Sequence, residues 1–248
     1  MRGEKGYQAG RVGRLIGASL GPGDPGWITR AAWDALENSP CWAWPVSRKN
    51  LEGYALAIAK RAGLQPPEGS LALDFPMVRD PARLASSWQA AAEAVIPRLR
   101  GGEDVAFLVE GDASFFATFG YLAQYVRALD PSIEIEVIPG VSSPNASAAL
   151  AGIPLAEGEG SLAIHAAPSA VARLDQLLEM FQTVVLLKVR PVLDELIALL
   201  EQRALLERAI FVERVGAPEQ RVVTDVSTLR GERVHYLSLL IIRSHPAQ

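Results

Sequence analysis

With 248 residues, 49% of them hydrophobic, the chain is long and apolar enough to bury the core of one large domain or two small ones. No apolar run reaches the roughly 18 residues that a membrane-spanning helix needs, so we expect no membrane partner. A net charge of −4 without a run of basic residues argues against nucleic acid as a principal partner.

Cysteine and histidine are rare in this chain, which limits its capacity for disulfides and metal sites. The single cysteine, Cys41, excludes an internal disulfide and suits a reducing compartment, so we expect a cytoplasmic protein. His165, His235 and His245 are scattered without the spacing of metal ligands, and no metal site is predicted. Residues 1–12 are polar and glycine-rich, which predicts a flexible N-terminal tail.

The first predicted strand and the loop after it are typical of a site for a small ligand. Leu15 and Ile16 indicate a strand, residues 17–26 contain four glycines and two prolines, and residues 27–37 have the apolar spacing of a helix. A strand, a glycine-rich loop and a helix in succession bring bare backbone close to a ligand, because glycine has no Cβ to obstruct it.

The spacing Gly21-x-Gly23-x-x-Gly26 also matches the dinucleotide fingerprint, so a nucleotide-binding dehydrogenase is one alternative. Two features argue against it. The two prolines inside this loop lack the backbone N–H groups that a pyrophosphate needs, and the next predicted strand, residues 41–45, lacks the acid that binds the ribose. We interpret the loop as a site for a small ligand other than NAD.

The rest of the N-terminal half alternates helices and strands. Helices are predicted over residues 51–62, 81–100 and 146–151, and a further helix follows residue 114 and ends at about residue 129. Strands are predicted over residues 70–77, 105–109 and 133–138. Asp80 is expected to cap the longest helix, with Pro81 at its first position. Because ligands of parallel α/β sheets collect beyond the carboxyl ends of the strands, we expect the loops at Gly21, Gly111 and Gly140 to lie near one another.

From Gly152 onward the pattern changes to longer strands with fewer helices between them. Strands are predicted over residues 162–166, 183–188, 209–214 and 234–242, and helices over residues 169–181 and 191–201. This order indicates a mixed-sheet α+β domain. The chain is therefore expected to have an N-terminal, mostly parallel α/β/α domain over residues 13–143 and a C-terminal α+β domain over residues 144–243.

A series of short motifs, each modest alone, occurs in a fixed order along most of the chain. They are Gly21-Pro22-Gly23-Asp24-Pro25, Phe75-Pro76-Met77, Phe107-Leu108-Val109-Glu110-Gly111-Asp112, Ile138-Pro139-Gly140-Val141-Ser142-Ser143, Gly152-Ile153-Pro154-Leu155, Val184-Val185-Leu186-Leu187-Lys188 and Val212-Glu213-Arg214. With these motifs, about residues 13 to 243 resemble the tetrapyrrole methylases, which act on uroporphyrinogen and the precorrins. The Phe-Pro-Met and Val-Ser-Ser stretches make the chain most similar to the branch that methylates carbon 20 of precorrin-2 or cobalt-factor II.

The resemblance implies a homodimer of two-domain subunits, with S-adenosylmethionine in the cleft between the domains and a tetrapyrrole as the methyl acceptor. It also implies cofactor contacts from the three loops and from two strand ends of the second domain. Carried over by position, these residues are Pro22, Gly23, Asp24, Glu110, Gly111, Asp112, Phe115, Ser142, Ser143, Lys188 and Val215. Ser47, Lys49 and Arg79 are candidates for binding the carboxylates of the substrate, and no catalytic base is identified.

The chain departs from the pattern of the family at several positions. Relatives usually have glycine at the position of Ser19, often proline at that of Ala113, and commonly tyrosine at that of Phe116. The uroporphyrinogen enzymes carry a Tyr-Asp pair in place of Trp44-Pro45, and the missing aspartate, a proposed proton acceptor, argues against that substrate. The other departures leave another precorrin methylase and a non-catalytic paralogue open as alternatives.

Several candidate residues also have a purely structural interpretation. Asp24 and the pair Ser142-Ser143 are residue types that cap helices, and Asp112 is a common turn residue. Lys188 ends an apolar strand, from which a lysine side chain extends to solvent. The three candidates for substrate binding are equally compatible with a solvated face.

Overall fold

The computed structural model describes residues 11–47, 50, 52–78 and 80–244, and the chain divides into two compact units after Ser142. The domain boundary predicted from the sequence lies one residue further along, between residues 143 and 144. At the end of the predicted tail, the guanidinium of Arg11 pairs with the Asp104 carboxylate at 2.8 Å. Among the described helices, none is long and apolar enough to cross a membrane.

The N-terminal unit is built on a five-stranded sheet in which every strand is parallel to its neighbours. Its strands are β1 (Leu15–Ser19), β2 (Cys41–Val46), β3 (Leu71–Asp74), β4 (Val105–Val109) and β5 (Ile135–Ile138). Its helices are α1 (Arg30–Asn38), α2 (Tyr54–Arg61), α3 (Pro81–Arg100) and α4 (Phe119–Leu129). The spatial order is β3-β2-β4-β1-β5, which confirms the predicted parallel α/β fold and puts β4, β1 and β5 side by side.

Helices cover both faces of this sheet, as the continuous apolar run of β4 predicts. Alternate residues of a strand point to opposite faces, so Phe107 packs among residues of α3 and α4 while Leu108 packs among residues of α2. All five residues of β4 are buried. Burial on both faces fixes the register of the central strands and therefore holds their carboxyl ends at one edge of the sheet.

The C-terminal unit contains a second sheet, which is mixed as predicted. Its strands are β6 (Leu162–Ala166), β7 (Thr183–Leu187), β8 (Ala209–Glu213), β9 (Arg221–Val223) and β10 (Ser238–Arg243), in the order β6-β7-β10-β8-β9. Only the pair β6 and β7 is parallel. Its helices are α5 (Ser143–Ala151), α6 (Ala167–Ala170), α7 (Leu174–Met180) and α8 (Leu193–Gln202). The sequence pattern did not predict β9, which is short and incompletely buried.

The helix predicted over residues 27–37 is two elements, because two side chains cap two separate starts. Asp24 accepts a hydrogen bond from the Gly26 N–H at 2.8 Å and begins a 3-10 turn, Pro25–Trp27. Thr29 accepts one from the Ala32 N–H at 3.2 Å and begins α1. The predicted start at residue 27 is therefore wrong.

Other boundaries follow the prediction or shift by a few residues. Asp80 caps α3 by accepting from the Arg83 N–H at 2.7 Å, and the helix continues past Pro97, where the sequence left a stop open, to Arg100. Two elements begin at other residues than predicted: α5 begins at residue 143, earlier than the predicted 146, and β10 begins at residue 238, later than the predicted 234. The first strand does not end after Ile16 but continues to Ser19, which brings the loop after it closer to its neighbours.

Candidate functional site

Three loops follow the neighbouring strands β1, β4 and β5, and we call them loop 1 (residues 20–24), loop 2 (residues 110–116) and loop 3 (residues 139–142). The Gly21 N–H donates to the Gly111 carbonyl at 3.1 Å, and the Gly111 N–H donates back to the Gly21 carbonyl at 2.8 Å. Loop 3 is joined to loop 2 by the Gly140 N–H. The prediction that these loops lie together is confirmed.

Gly111, a predicted cofactor residue, borders open space. Its φ of +80° lies in the left-handed region that favours glycine, and a Cβ added there would meet no atom within 4 Å. Glu110, just before it, is partly exposed. Gly111 itself is buried, but the direction in which a side chain would point from it is free of other atoms.

Two aromatic residues complete loop 2. The rings of Phe115 and Phe116 pack edge-on with their centroids 4.9 Å apart. Phe116 has a φ of +51° and is 52% exposed. A bulky residue in the left-handed region costs about 1–2 kcal/mol, so loop 2 is strained beside the predicted cofactor residue Phe115.

Asp112 connects loop 2 to loop 3. Its Oδ2 accepts from the Gly140 N–H at 2.7 Å, and its Oδ1 accepts from the N–H of Ser114 at 2.8 Å and from the hydroxyl of that residue. Burial opposes ionisation, but these hydrogen bonds outweigh it and hold the pKa of the Asp112 carboxyl below its ordinary value of 3.8. The carboxylate thus has a structural role, and its contact with a cofactor stays a prediction.

Loop 3 lies closer to β1 than a side chain at position 140 would allow. A Cβ added to Gly140 would lie 2.5 Å from the Ser19 Cβ and 3.0 Å from the Gly111 carbonyl oxygen. The Ser19 side chain is fully buried, and its hydroxyl donates to the Ile138 carbonyl at 2.5 Å and accepts from the Ala113 N–H at 2.8 Å. Ser19 therefore connects the end of β1 to the end of β5 and to the middle of loop 2.

Loop 1 carries three predicted cofactor residues, two of which are buried. Pro22 and Gly23 are buried, and the Gly23 carbonyl accepts a hydrogen bond from the Arg61 guanidinium of α2. The side chain of Asp24 caps the short turn described above, which confirms its structural interpretation. Arg61 and Asp24 therefore hold the second half of loop 1, and the two hydrogen bonds between Gly21 and Gly111 hold its first half.

In the C-terminal unit, the two strands that flank β10 are each followed by a non-glycine residue with a left-handed backbone. Strands β7 and β8 both run antiparallel to β10, so they end at the same edge. Lys188 follows β7 with a φ of +59° and donates its N–H to the Ser238 carbonyl at 3.1 Å. Arg214 follows β8 with a φ of +52° and donates its N–H to the Leu237 carbonyl at 2.8 Å. Left-handed non-glycine residues are uncommon and collect at functional sites.

The remaining predicted cofactor residues lie at element ends. Val215 follows Arg214 and is buried, so the candidates Lys188 and Val215 share one edge of the second sheet. Ser142 is the last residue of the N-terminal unit, and Ser143 is the first residue of α5. Each predicted cofactor residue therefore lies at the end of a strand, in the loop that follows a strand, or at the start of a helix.

A polar cluster next to Arg214 supports the end of β8. The Glu213 carboxylate accepts from the Arg221 guanidinium at 3.1 Å and from the backbone N–H of His235. The Nδ1 of His235 accepts from the Leu237 N–H at 3.1 Å, which leaves the ring proton on Nε2. Burial, followed by the positive charge of Arg214, lowers the pKa of His235. Glu213 is thus engaged in holding the end of β8.

A family model for Tetrapyrrole (Corrin/Porphyrin) Methylases matches residues 14–230 of the chain. The chain belongs to this family. The Precorrin-2 C(20)-methyltransferase of Sinorhizobium sp is 30% identical over 239 residues, which cover 93% of this chain and 95% of the relative. The Cobalt-precorrin-2 C(20)-methyltransferase of Salmonella typhimurium is 31% identical over 231 residues, covering 93% and 96%.

Solved structures of other tetrapyrrole methylases share the fold. A uroporphyrin-III C-methyl transferase from Thermus thermophilus, complexed with S-adenyl homocysteine, aligns with a TM-score of 0.61 at 22% identity, over 93% of this chain and 97% of that one. A cobalt precorrin-4 methyltransferase aligns with a TM-score of 0.68 at 18% identity, over 94% and 96%. At these identities the alignments support the two-sheet architecture of the methylase.

The substrate-binding candidates of this tetrapyrrole methylase are described only in part. Ser47 follows β2: its N–H donates to the Asn50 carbonyl, and its carbonyl accepts from the Asn50 N–H, both at 3.0 Å. Lys49 and Arg79 lie outside the described residues. Across the described ranges, no group of three or more His, Cys, Asp or Glu side chains is arranged to hold a metal ion.

Four residues that contact or border the predicted cofactor residues were not identified from the sequence. Ser19 and Gly140 control how closely loops 2 and 3 approach β1, and Arg214 and Ser238 frame the edge of the second sheet. A serine that ends a buried strand and a glycine after a strand are the available signals, but neither indicates its partner. The left-handed φ of Arg214 has no signal in the sequence.

Proposed function

We propose that this tetrapyrrole methylase transfers the methyl group of S-adenosylmethionine to carbon 20 of precorrin-2, or of its cobalt-containing counterpart, in cobalamin biosynthesis. The observation that carries the proposal is the identity of 30% and 31%, over 93% of the chain, to two enzymes named for methylation at this carbon. The alignments extend over at least 95% of each relative, so they include the whole site rather than one domain.

The residues of the three loops fit a sulfonium cofactor. Such a cofactor has no phosphate at its reactive end, so it needs no cradle of N–H donors, and the prolines of loop 1 are no obstacle. Backbone at Gly111 faces open space, which is where a bulky ligand has room. We assign cofactor binding to Pro22, Gly23, Asp24, Glu110, Gly111, Asp112, Phe115 and Ser142 of the N-terminal unit and to Ser143, Lys188 and Val215 of the C-terminal unit.

The work of the protein in this reaction is alignment. Bound S-adenosylmethionine supplies an electrophilic methyl group, and a meso carbon of a reduced tetrapyrrole is itself nucleophilic. The chain then has to hold that carbon in line with the methyl–sulfur bond and exclude water. The hydrogen bonds of Asp112 and Ser19 fix the loops in advance, which limits the ordering that binding requires. The proton that leaves carbon 20 afterwards has no assigned acceptor.

Substrate carboxylates give a role to the polar residues after β2 and β3. Precorrin-2 is a polycarboxylate, and Ser47, Lys49 and Arg79 are the groups that we assign to it. An exposed ion pair contributes about 0.2–1 kcal/mol, so several would have to act together. Removal of one of these side chains is therefore expected to raise KM modestly without changing cofactor affinity.

The function is tested by turnover with two acceptors. The enzyme is incubated with labelled S-adenosylmethionine and either precorrin-2 or cobalt-factor II, and the product is examined by mass spectrometry and carbon NMR. We expect a gain of one methyl group, located at carbon 20. Methylation at a pyrrole carbon, or of uroporphyrinogen, would assign the chain to another branch of the family. Cofactor binding without transfer to any tetrapyrrole would identify a non-catalytic paralogue.

Two further expectations follow from the family. We expect a homodimer, for which light scattering at micromolar concentration should give twice the chain mass of 26.6 kDa. A mass of one chain would remove this expectation and would leave the cofactor assignment unaffected. A cytoplasmic location is expected for an enzyme of this biosynthetic class.

A further inference from the structure

Ser19 is the only hydroxyl-bearing residue of β1, and it lies between the ends of the two strands that flank β1. It is 0% exposed, donates to the Ile138 carbonyl at the end of β5, and accepts from the Ala113 N–H of loop 2. The hydroxyl thus uses its donor on one neighbour and an acceptor position on the other. One side chain thus links the end of β1 to the end of β5 and to loop 2.

The partner of this hydroxyl is an N–H that the turn itself leaves unused. Loop 2 folds into a β-turn in which the Phe115 N–H donates to the Asp112 carbonyl at 3.1 Å, so Ala113 is the second of the four turn residues. The N–H at that position has no partner within a β-turn. Ala113 is only 5% exposed, and without Ser19 its N–H would be a buried donor with no acceptor.

The same geometry restricts which residues can occur together at positions 19 and 113. Proline is favoured at the second position of a β-turn, and it has no N–H to satisfy. Its ring would occupy the space along the former N–H direction, where the Ser19 Oγ lies 2.8 Å from the nitrogen. Proline at 113 therefore conflicts with the Ser19 hydroxyl, which glycine at 19 would remove, whereas an N–H at 113 needs an acceptor such as that hydroxyl.

We infer that Ser19 is a positioning residue of the cofactor site and that it acts as one unit with Ala113, which only a simultaneous change to glycine and proline can replace. The inference rests on the proposed function, in which loops 2 and 3 hold S-adenosylmethionine. Ser19 does not touch the ligand. It acts through the backbone of loop 2, which carries Gly111, and through the end of β5, which leads into Gly140.

The test uses four variants of the full chain: Ser19→Ala, Ser19→Gly, Ala113→Pro and the double variant Ser19→Gly/Ala113→Pro. Affinity for S-adenosylhomocysteine is measured by calorimetry, and KM and kcat are measured with the tetrapyrrole acceptor. Each single variant leaves one group mismatched, and we expect binding about tenfold weaker or worse, the order of a lost hydrogen-bond partner. The double variant removes the mismatch and is expected to bind within about threefold of the wild type.

A further readout separates positioning from stability. We expect Ser19→Ala to raise the KM for the cofactor while kcat at saturating cofactor stays within about twofold, because the ligand orders the loops once it is bound. Val126→Ala, a cavity variant on the buried face of α4, should lower the melting temperature and leave cofactor affinity unchanged. If Val126→Ala weakened binding as much as Ser19→Ala, affinity would merely follow stability and the inference would fail.

Two other results would overturn the inference. Wild-type affinity in Ser19→Ala, which removes only the hydroxyl, would show that the loops do not need it. A double variant that binds more weakly than either single variant would show that the two positions are independent. The wild type is titrated first: failure of the wild type to bind S-adenosylhomocysteine contradicts the proposed function, and is thereby distinguished from a failure of this inference.

Discussion

Gly111→Leu is expected to abolish binding of S-adenosylmethionine and of its demethylated product, so that calorimetry detects no heat at millimolar ligand. Any L-residue at a φ of +80° is strained by about 1–2 kcal/mol, but leucine also fills the open space beside loop 2. Gly111→Ala shares the strain and adds only a Cβ that meets nothing within 4 Å. We therefore expect Gly111→Ala to weaken binding by no more than about tenfold.

A matched control exists in the same unit. Gly63, which follows α2, has a φ of +85°, and a Cβ added there also meets nothing within 4 Å. Gly63→Leu should lose stability through the same strain and keep wild-type affinity for the cofactor. Titration of the wild type with NAD tests the dehydrogenase alternative in the same experiment. If Gly111→Leu bound the cofactor as tightly as the wild type does, loop 2 would lie outside the cofactor site.

The adjacency of the three N-terminal loops could be predicted because it depends on local patterns. The run Val105–Val109 indicates a strand buried on both faces, and a glycine after such a strand indicates a loop at the carboxyl edge of a parallel sheet. Three repeats of this order were enough to expect three adjacent loops. The structure agrees, because β4, β1 and β5 are neighbours in the sheet.

The contacts that hold these loops together could not be predicted, because they join residues far apart in the chain. Asp112 and Gly140 are 28 positions apart, and Ser19 and Ala113 are 94 apart. From the sequence, Ser19 and Ala113 were two separate departures from the family pattern, and together with Phe116 they left a non-catalytic paralogue open. The hydrogen bond between them makes them one compensated change, which by itself is no sign of lost activity.

The edge of the second sheet is hidden from sequence for a different reason. A left-handed backbone is usually indicated by glycine, whereas Lys188 and Arg214 adopt it with full side chains. Both are held there by backbone hydrogen bonds to residues 237 and 238, so tertiary structure overrides the local preference. The resemblance to the family pointed to Lys188 and Val215, and composition or periodicity alone would have missed them.

Asp112→Asn is expected to release loop 3 from loop 2 and to weaken cofactor binding by one to two orders of magnitude. The amide retains one oxygen for Ser114 and turns an N–H₂ group toward the Gly140 N–H, so that two donors face each other. A buried donor without its acceptor costs about 1–3 kcal/mol, which corresponds to roughly 5- to 150-fold in affinity if loop 3 has to be reordered on binding. Calorimetry with S-adenosylhomocysteine at pH 7 measures the loss.

The pH dependence of stability provides a second, independent measurement of the role of Asp112. Because the pKa of the folded Asp112 carboxyl lies below 3.8, its hydrogen bonds stabilise the fold fully above that value, and the contribution is lost as the pH falls through the folded pKa. The free energy of unfolding should therefore differ between wild type and Asp112→Asn at pH 7, and the difference should shrink below about pH 3.8.

Asp130 provides the matched control, since it forms the same Asp-x-Ser turn at the end of α4, before β5. The Asp130 carboxylate accepts from the Ser132 N–H at 3.1 Å and from the Ser132 hydroxyl. The hydrogen bonds from Ser132, together with the one from Arg100, lower the pKa of Asp130 to about 2. Asp130→Asn should show a similar dependence of stability on pH and leave cofactor affinity unchanged, because its turn is at the opposite edge of the sheet from the three loops. Equal losses of affinity in Asp112→Asn and Asp130→Asn would mean that binding responds to general destabilisation, and Asp112 would have no special role in joining loop 2 to loop 3.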